Sequence, residues 1–294
     1  MRLRLTGLLA LLVAALPLRG HAAEKAFTVT SFGHGRPFFM IAGLAAGKDL
    51  WDDAARRYGV QFRVYRFTLA GFDGLKPVSG PFIDTEVAAL EAYARQNDIR
   101  NAIVMGNSVA GIIALKLAAR VPDRFTTAIV VDILPFLGGP SFGAKDADQA
   151  ATITDRYKAQ MTAMPPTDFL AQQTSQISLL TETPDKKAVI ASWIKSSDAT
   201  TIIEATCELY AGDFRPVLPH VRARTLVIYP WDPKSNLAAQ TLDAFYVTQY
   251  NGLPHKTLRR IDNSRHYVMF DQPGAFFRAV DDFLSTPARV DAKR

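Results

Sequence analysis

The stretch Asn101–Phe125, N-A-I-V-M-G-N-S-V-A-G-I-I-A-L-K-L-A-A-R-V-P-D-R-F, decides the fold. It begins as a short apolar run, which is typical of a buried strand, and continues after a tight turn with apolar residues at helical spacing. Such a sharp reversal brings the two backbones close together, so only small residues fit two positions before and after its centre. Gly106 and Ala110 meet this requirement around Ser108. The sequence therefore predicts a strained turn that lifts the Ser108 hydroxyl above a sheet and points the Val109 amide at the same space.

Other short apolar runs lie on either side of this stretch, separated by segments of helix length. Continuous apolar runs of this kind indicate strands that are buried on both faces of a mostly parallel sheet. The predicted strands are 27–31, 37–41, 62–65, 101–105, 127–131, 225–229 and 257–261. Gly33, His34 and Gly35 predict a hairpin turn after the first of them. The pattern as a whole predicts an α/β fold.

About ninety residues between Asp132 and Thr225 interrupt this alternation. They show helical periodicity and no convincing strand, which predicts an insertion of helices. We expect this insertion, approximately residues 135–222, to form a helical cap over one edge of the sheet. Its apolar side chains are expected to pack mostly against each other.

The turn at Ser108 resembles the nucleophile elbow of the α/β-hydrolase superfamily, which reads G-x-S-x-G. Ala110 stands in place of the second glycine, and alanine is still small. The V-P-D-R-F that follows the predicted helix is also similar to many such hydrolases. The resemblance covers nearly all of the chain after residue 23 and implies one α/β-hydrolase domain over 24–294, with a mostly parallel sheet flanked by helices. It implies that Ser108 is a nucleophile.

A serine hydroxyl is a weak nucleophile near neutral pH, so it needs a base within hydrogen-bond reach. His266 lies in a loop between a strand end and an amphipathic helix, which resembles the catalytic-histidine loop of the superfamily. The imidazole in turn needs an orienting carboxylate. The resemblance favours Asp232, which follows a buried strand and precedes His266. Asp132, at the end of the preceding strand, is the alternative acid.

A second oxyanion donor is expected in the loop after the strand 37–41, where the sequence reads A-G-L-A-A-G. Gly43 permits close backbone approach, and Leu44 is placed to offer its amide. These small residues would equally suit a plain strand-to-helix turn, so the assignment depends on the elbow at Ser108. No metal or organic cofactor is implied.

Together these residues predict a serine hydrolase of carboxylic esters, with lactones or amides as further possible substrates. The expected partner is a small ester-like molecule. The same triad can also support cofactor-free perhydrolysis or carbon–carbon bond cleavage, and these reactions stay open as alternatives. A binding protein with a disused site is a second alternative. The oligomeric state is left open by the sequence.

Residues 1–23 predict a secretory signal peptide, because two arginines precede an uncharged apolar run over 5–18 and small residues follow it. Cleavage is expected after Ala22 or Ala23. The apolar run is shorter than a bilayer span, so we expect no stable membrane insertion after cleavage; an uncleaved anchor is the alternative. The protein is therefore expected to be periplasmic or secreted, where no ATP or NAD(P)H pool is available.

The composition excludes some further classes of function. The net charge is +6, but three of the arginines lie in the predicted signal peptide. No run of lysine and arginine is dense enough to suggest nucleic-acid binding. The single cysteine, Cys207, has no partner for an intramolecular disulfide.

Overall fold

The computed structural model describes residues 26–286, so the predicted signal peptide lies outside the described residues. Seven strands form one sheet in the order β1-β3-β2-β4-β5-β6-β7. Only β1 is antiparallel to its neighbour, and all other pairs are parallel. The strands are β1 Phe27–Phe32, β2 Arg36–Ile41, β3 Phe62–Leu69, β4 Ala102–Asn107, β5 Phe125–Val131, β6 Arg224–Trp231 and β7 Lys256–Asp262. The prediction of a mostly parallel sheet is confirmed, and each predicted strand is present.

The predicted hairpin between the first two strands is wrong. β1 pairs with β3, which lies between β1 and β2 in the sheet. Gly33 and Gly35 do form a turn, with φ angles of 79° and 93°. A Cβ atom on Gly35 would lie 2.8 Å from the Gln61 carbonyl oxygen, so the turn packs against the start of β3. The glycines are therefore needed for this close approach and do not close a two-stranded hairpin.

Helices fill each interval between consecutive strands from β2 onward and cover the sheet. The helices outside the β5–β6 interval are α1 Asp52–Tyr58, α2 Phe82–Gln96, α3 Val109–Arg120, α9 Ala239–Gln249, α10 Val268–Asp271 and α11 Pro273–Ser285. Between β5 and β6 lie α4 Gly138–Phe142, α5 Ala147–Thr162, α6 Pro166–Ser175, α7 Pro184–Ser196 and α8 Ala199–Ala211. We refer to α4–α8 as the cap. Asp146 and Asp198 cap α5 and α8 by accepting hydrogen bonds from backbone amides in the first turn.

The core lies on the central strands of the sheet. Every residue of β4 is buried, as its continuous apolar run predicts. Phe39 and Phe67 on neighbouring strands pack with their ring centroids 4.8 Å apart, and Phe125 and Tyr93 complete this aromatic cluster. Among residues 26–286, no helix is long and apolar enough to cross a membrane. The rigid centre of the sheet thus fixes the loops that follow β2, β4 and β5 at one edge.

Candidate active site

Ser108 sits at the junction of β4 and α3 with φ 58° and ψ −131°, a conformation that non-glycine residues rarely adopt. The strain is held by close packing on both sides of the turn. A Cβ atom on Gly106 would overlap the Ala110 carbonyl group, so the strand and the helix approach too closely for any larger residue. The Ser108 side chain is nearly buried, with 8% of its surface exposed. The strained turn predicted from the sequence is therefore present.

His266 is paired with Asp132. The His266 Nδ1 atom lies 2.6 Å from Asp132 Oδ2, and Asp132 directly follows β5 with a left-handed φ of 49°. The other carboxylate oxygen, Oδ1, accepts a hydrogen bond of 3.0 Å from the Tyr246 hydroxyl on α9. A carboxylate can only accept, so His266 carries a proton on Nδ1, and in the neutral imidazole Nε2 then keeps its lone pair. This is the tautomer that a serine base requires.

Asp232 does not meet His266, and the preference for it as the orienting acid is corrected. Its Oδ2 atom accepts a 2.8 Å hydrogen bond from Arg265 Nε, and its Oδ1 atom accepts one from the Lys234 amide. The Lys234 amide and the Arg265 guanidinium hold the pKa of Asp232 below its ordinary value. Arg265, the residue before His266 in the chain, binds the Asp232 carboxylate in place of the imidazole. The structure thus brings the alternative acid, Asp132, to the imidazole.

The loop after β2 lies directly against the serine. A Cβ atom on Gly43 would lie 2.6 Å from the Asn107 carbonyl oxygen and 3.1 Å from Ser108 Cβ, so only glycine fits there. The amide groups of Leu44 and Val109 donate no hydrogen bond to any other part of the chain within 26–286. The amides of Leu44 and Val109 are therefore free to bind a substrate oxygen beside Ser108, which is the role of an oxyanion hole.

Two residues that the sequence reasoning missed support this arrangement. The Tyr246 hydroxyl donates a hydrogen bond to the second carboxylate oxygen of Asp132, and nothing in the sequence around Tyr246 indicates this role. Asn107 lies within the elbow itself, and its side-chain amide donates to the carbonyl oxygens of Val131 and His266 at 3.3 and 3.4 Å. The signal that could have identified Asn107 is its position as a buried polar residue directly before Ser108. Asn107 thereby ties the serine turn to both the strand end of the acid and the histidine loop.

The cap closes a cavity over these residues. Ser108, Asp132, His266 and Leu44 line a space of about 570 Å³, which we call the large chamber, together with side chains from α5, α6 and α8. A second space of about 180 Å³, the small chamber, also contains Ser108, His266 and Leu44. The two chambers thus meet at the serine. Within the described part of the chain, no three His, Cys, Asp or Glu side chains are grouped so as to hold a metal ion.

A model of the alpha/beta hydrolase family matches residues 13–279. The chain belongs to the alpha/beta hydrolase family. The fold predicted from the turn at Ser108 is thereby confirmed.

Known alpha/beta hydrolases similar to this chain differ in their reactions. The N-formylmaleamate deformylase of Pseudomonas putida is 23% identical over 264 residues, which cover 87% of this chain and 91% of the relative. An esterase from Thermogutta terrifontis is 18% identical with a TM-score of 0.70, covering 88% of this chain and 92% of its own. An enol-lactonase from Burkholderia xenovorans is 17% identical with a TM-score of 0.69, covering 88% and 96%. These two structures share the fold.

Proposed function

We propose that this protein is a serine hydrolase that cleaves carboxylic esters, including lactones, through an acyl-enzyme on Ser108. One observation carries the proposal: a strained serine and a histidine bound to a carboxylate at 2.6 Å line the same cavity. Strain at a serine is maintained only where the surrounding structure enforces it, and such strain is concentrated at functional sites. The free amides beside the serine complete the set of groups that acyl transfer needs.

The proposed mechanism gives each of these groups one role. The Ser108 oxygen attacks the acyl carbon while His266 Nε2 takes its proton, and Asp132 stabilises the imidazolium that forms. The amides of Leu44 and Val109 bind the oxyanion of the tetrahedral intermediate. Collapse of this intermediate expels the alcohol, which receives the proton from His266. Water, activated by the same imidazole, then attacks the acyl-enzyme, releasing the acid and restoring Ser108.

A fluorophosphonate probe tests the proposal, because an activated serine displaces its fluoride and keeps the phosphorus label. We expect labelling of Ser108 in the wild-type protein and none in Ser108→Ala, together with a loss of ester turnover of up to about a millionfold. Ser197→Ala is a matched control, since Ser197 is also buried but lines neither chamber. Wild-type turnover in Ser108→Ala would refute the mechanism, and a folded wild-type protein that is not labelled would favour a binding protein.

Amide hydrolysis is a second candidate, which the similarity to a protein named N-formylmaleamate deformylase favours. The same triad can attack an amide carbonyl if His266 protonates the leaving nitrogen. A panel of esters, lactones and N-formyl amides, each measured as kcat/KM, separates the two candidates. If only the N-formyl amides are turned over, the ester assignment is wrong and the serine mechanism stands.

We also propose that the protein is exported, as residues 1–23 suggest. N-terminal sequencing of protein from a periplasmic or secreted fraction should begin at Ala23 or Glu24. Recovery of the chain with Met1 intact would contradict cleavage.

A further inference from the structure

The large chamber contains polar side chains that have no partner in the protein. Tyr157 of α5, together with Tyr210 and Thr206 of α8, is half-buried there, and none of their hydroxyl groups makes a hydrogen bond within residues 26–286. Gln173 and Gln176 line both chambers near the end of α6, and their side-chain amides are equally unpaired in that part of the chain. Polar groups that face a cavity without partners are the usual means by which a protein orients a ligand.

The described walls of the large chamber carry no lysine or arginine that would balance a negative charge. No lysine or arginine is among the described residues that line either chamber. Among residues 26–286, Asp132 is the single acidic side chain on these walls. Burial raises the pKa of Tyr157 and Tyr210, and for Tyr210 the negative charge of Asp132 adds to the effect. Both hydroxyls therefore stay protonated and can donate, while a buried carboxylate of a ligand would stay unpaired at a high cost.

The walls of the small chamber are more apolar than those of the large chamber, although Gln173, Gln176 and the Tyr267 hydroxyl also lie on them. Apart from the residues that it shares with the large chamber, its walls come from Ala45, Leu179, Ile194, Ile202 and Tyr267. Its volume of about 180 Å³ is roughly a third of that of the large chamber. A short apolar group fits this space, and its burial is favourable.

We propose that the substrate is uncharged and has two unequal arms, of which the longer carries hydrogen-bonding groups, such as an amide or hydroxyl, and the shorter is apolar. This inference rests on the proposed function, since it places the reacting acyl carbon at Ser108 between the chambers. The longer arm lies in the large chamber, where the hydroxyls of Tyr157 and Tyr210 and the amides of Gln173 and Gln176 bind it.

Three methyl esters with straight acyl chains of equal length test the inference. One chain ends in a primary carboxamide, one in an isopropyl group of the same shape, and one in a carboxylate. We expect kcat/KM for the carboxamide to exceed that for the isopropyl ester about 3–10-fold, the effect of one or two net hydrogen bonds. The carboxylate ester should be at least about tenfold slower than the isopropyl ester, because its charge is buried beside Asp132 without a cation.

Tyrosine variants test whether the preference for the carboxamide arises in the large chamber. Tyr157→Phe and Tyr210→Phe should each lower the carboxamide-to-isopropyl ratio about threefold or more. Tyr93→Phe is the matched control, because Tyr93 is a half-buried tyrosine that lines neither chamber, and it should leave this ratio unchanged. Gln176→Arg places a guanidinium at the junction of the chambers and should raise kcat/KM of the carboxylate ester at least about tenfold.

Labelling of Ser108 by the fluorophosphonate probe distinguishes failure of the inference on the substrate from failure of the proposed function. If Ser108 is labelled and the carboxylate ester is hydrolysed as fast as the carboxamide, the inference on the substrate is overturned while the serine hydrolase stands. Equal rates for the carboxamide and isopropyl esters would overturn the hydrogen-bonding arm. If Ser108 is not labelled and no ester is hydrolysed, the proposed function fails and the inference fails with it.

Discussion

At the residue scale, Asp132 is the carboxylate whose charge faces the imidazole. Its Oδ2 atom meets His266 Nδ1 at 2.6 Å, and Asp132→Asn would keep the volume of the side chain but remove the charge that stabilises imidazolium. We expect kcat/KM for an ester to fall on the order of ten-thousandfold, as in comparable triads. The melting temperature should change little. Steady-state kinetics and thermal unfolding on the same preparation measure both quantities.

Asp232→Asn is the matched control for that substitution. Asp232 also follows a buried strand, but its partners are Arg265 and the Lys234 amide, and they do not include the histidine. We expect its activity to fall far less than that of Asp132→Asn and its stability by up to about 1 kcal/mol, the usual scale of a partly exposed ion pair. A larger activity loss in Asp232→Asn would return the orienting role to Asp232.

Tyr246 is expected to act as a positioning residue for the acid. Its hydroxyl donates to Asp132 Oδ1 at 3.0 Å, and its ring stacks on Tyr229 at 3.9 Å, so Tyr246→Phe removes the donor but keeps the stack. Without this donor the Asp132 carboxylate loses one of the two side-chain contacts that hold it beside the imidazole. We expect kcat/KM, measured by steady-state kinetics, to fall about tenfold, the scale of a hydrogen bond to a charged group.

Tyr250→Phe separates this role from a purely structural one. Tyr250 is stacked next to Tyr246, but its hydroxyl donates to the Ile133 carbonyl oxygen at 2.8 Å. The kcat/KM of this variant should stay close to the wild-type value. An equal loss of kcat/KM in both variants would mean that packing of the tyrosine stack, and not the hydrogen bond to Asp132, governs the rate.

At the scale of elements, the histidine loop and the cap form one connected unit. The Asp271 carboxylate accepts hydrogen bonds from the hydroxyls of Thr181 and Thr183, in the turn before α7. The Tyr267 amide donates to the Leu180 carbonyl oxygen, and Arg265 forms an ion pair with Glu182 in the same turn. A displacement of this part of the cap would therefore also displace His266. The cap therefore shapes the chambers and also holds the loop that carries His266.

The elements that the sequence predicted well are those whose cause is local. A strand that is buried on both faces must be apolar throughout, so β4 and β5 are visible as runs in the sequence. The elbow also has a local cause, because its strain and its need for small residues arise within Gly106–Ala110. For the same reason the strained turn at Ser108 can be predicted from the sequence alone.

The acid and the first strand pairing could not be predicted in this way, because distant residues decide both. Asp132 and Asp232 each follow a buried strand, and the choice depends on Arg265, which binds one, and on the left-handed turn at the other. The Gly33 turn gives a local signal for chain reversal but does not say that β3 will lie beside β1. Which carboxylate meets His266 and which strand pairs with β1 are determined by contacts in the tertiary structure.

At the scale of the whole molecule, one buried acid makes the global stability depend on pH. Glu86 of α2 is fully buried; its Oε1 atom accepts a 3.2 Å hydrogen bond from the Ala70 amide, and its Oε2 atom has no partner among residues 26–286. Burial raises the pKa of Glu86 from 4.5 to about 8. The folded protein thus binds a proton that the unfolded chain has released. Stability from this group is fully present below about pH 4.5 and is lost as the pH rises towards 8.

Glu86→Gln should remove this pH dependence, because the amide keeps an acceptor for Ala70 and carries no charge at any pH. We expect its free energy of unfolding to match that of the wild type near pH 4.5 and to exceed it by about 1–3 kcal/mol at pH 8, measured by denaturant unfolding at both values. Glu91→Gln on the same helix is the control: Glu91 accepts hydrogen bonds from Arg95 and Arg120, so its loss should not stabilise the protein at pH 8. If Glu86→Gln and the wild type lose stability in parallel between these two pH values, the buried carboxyl of Glu86 is not the group that links folding to pH.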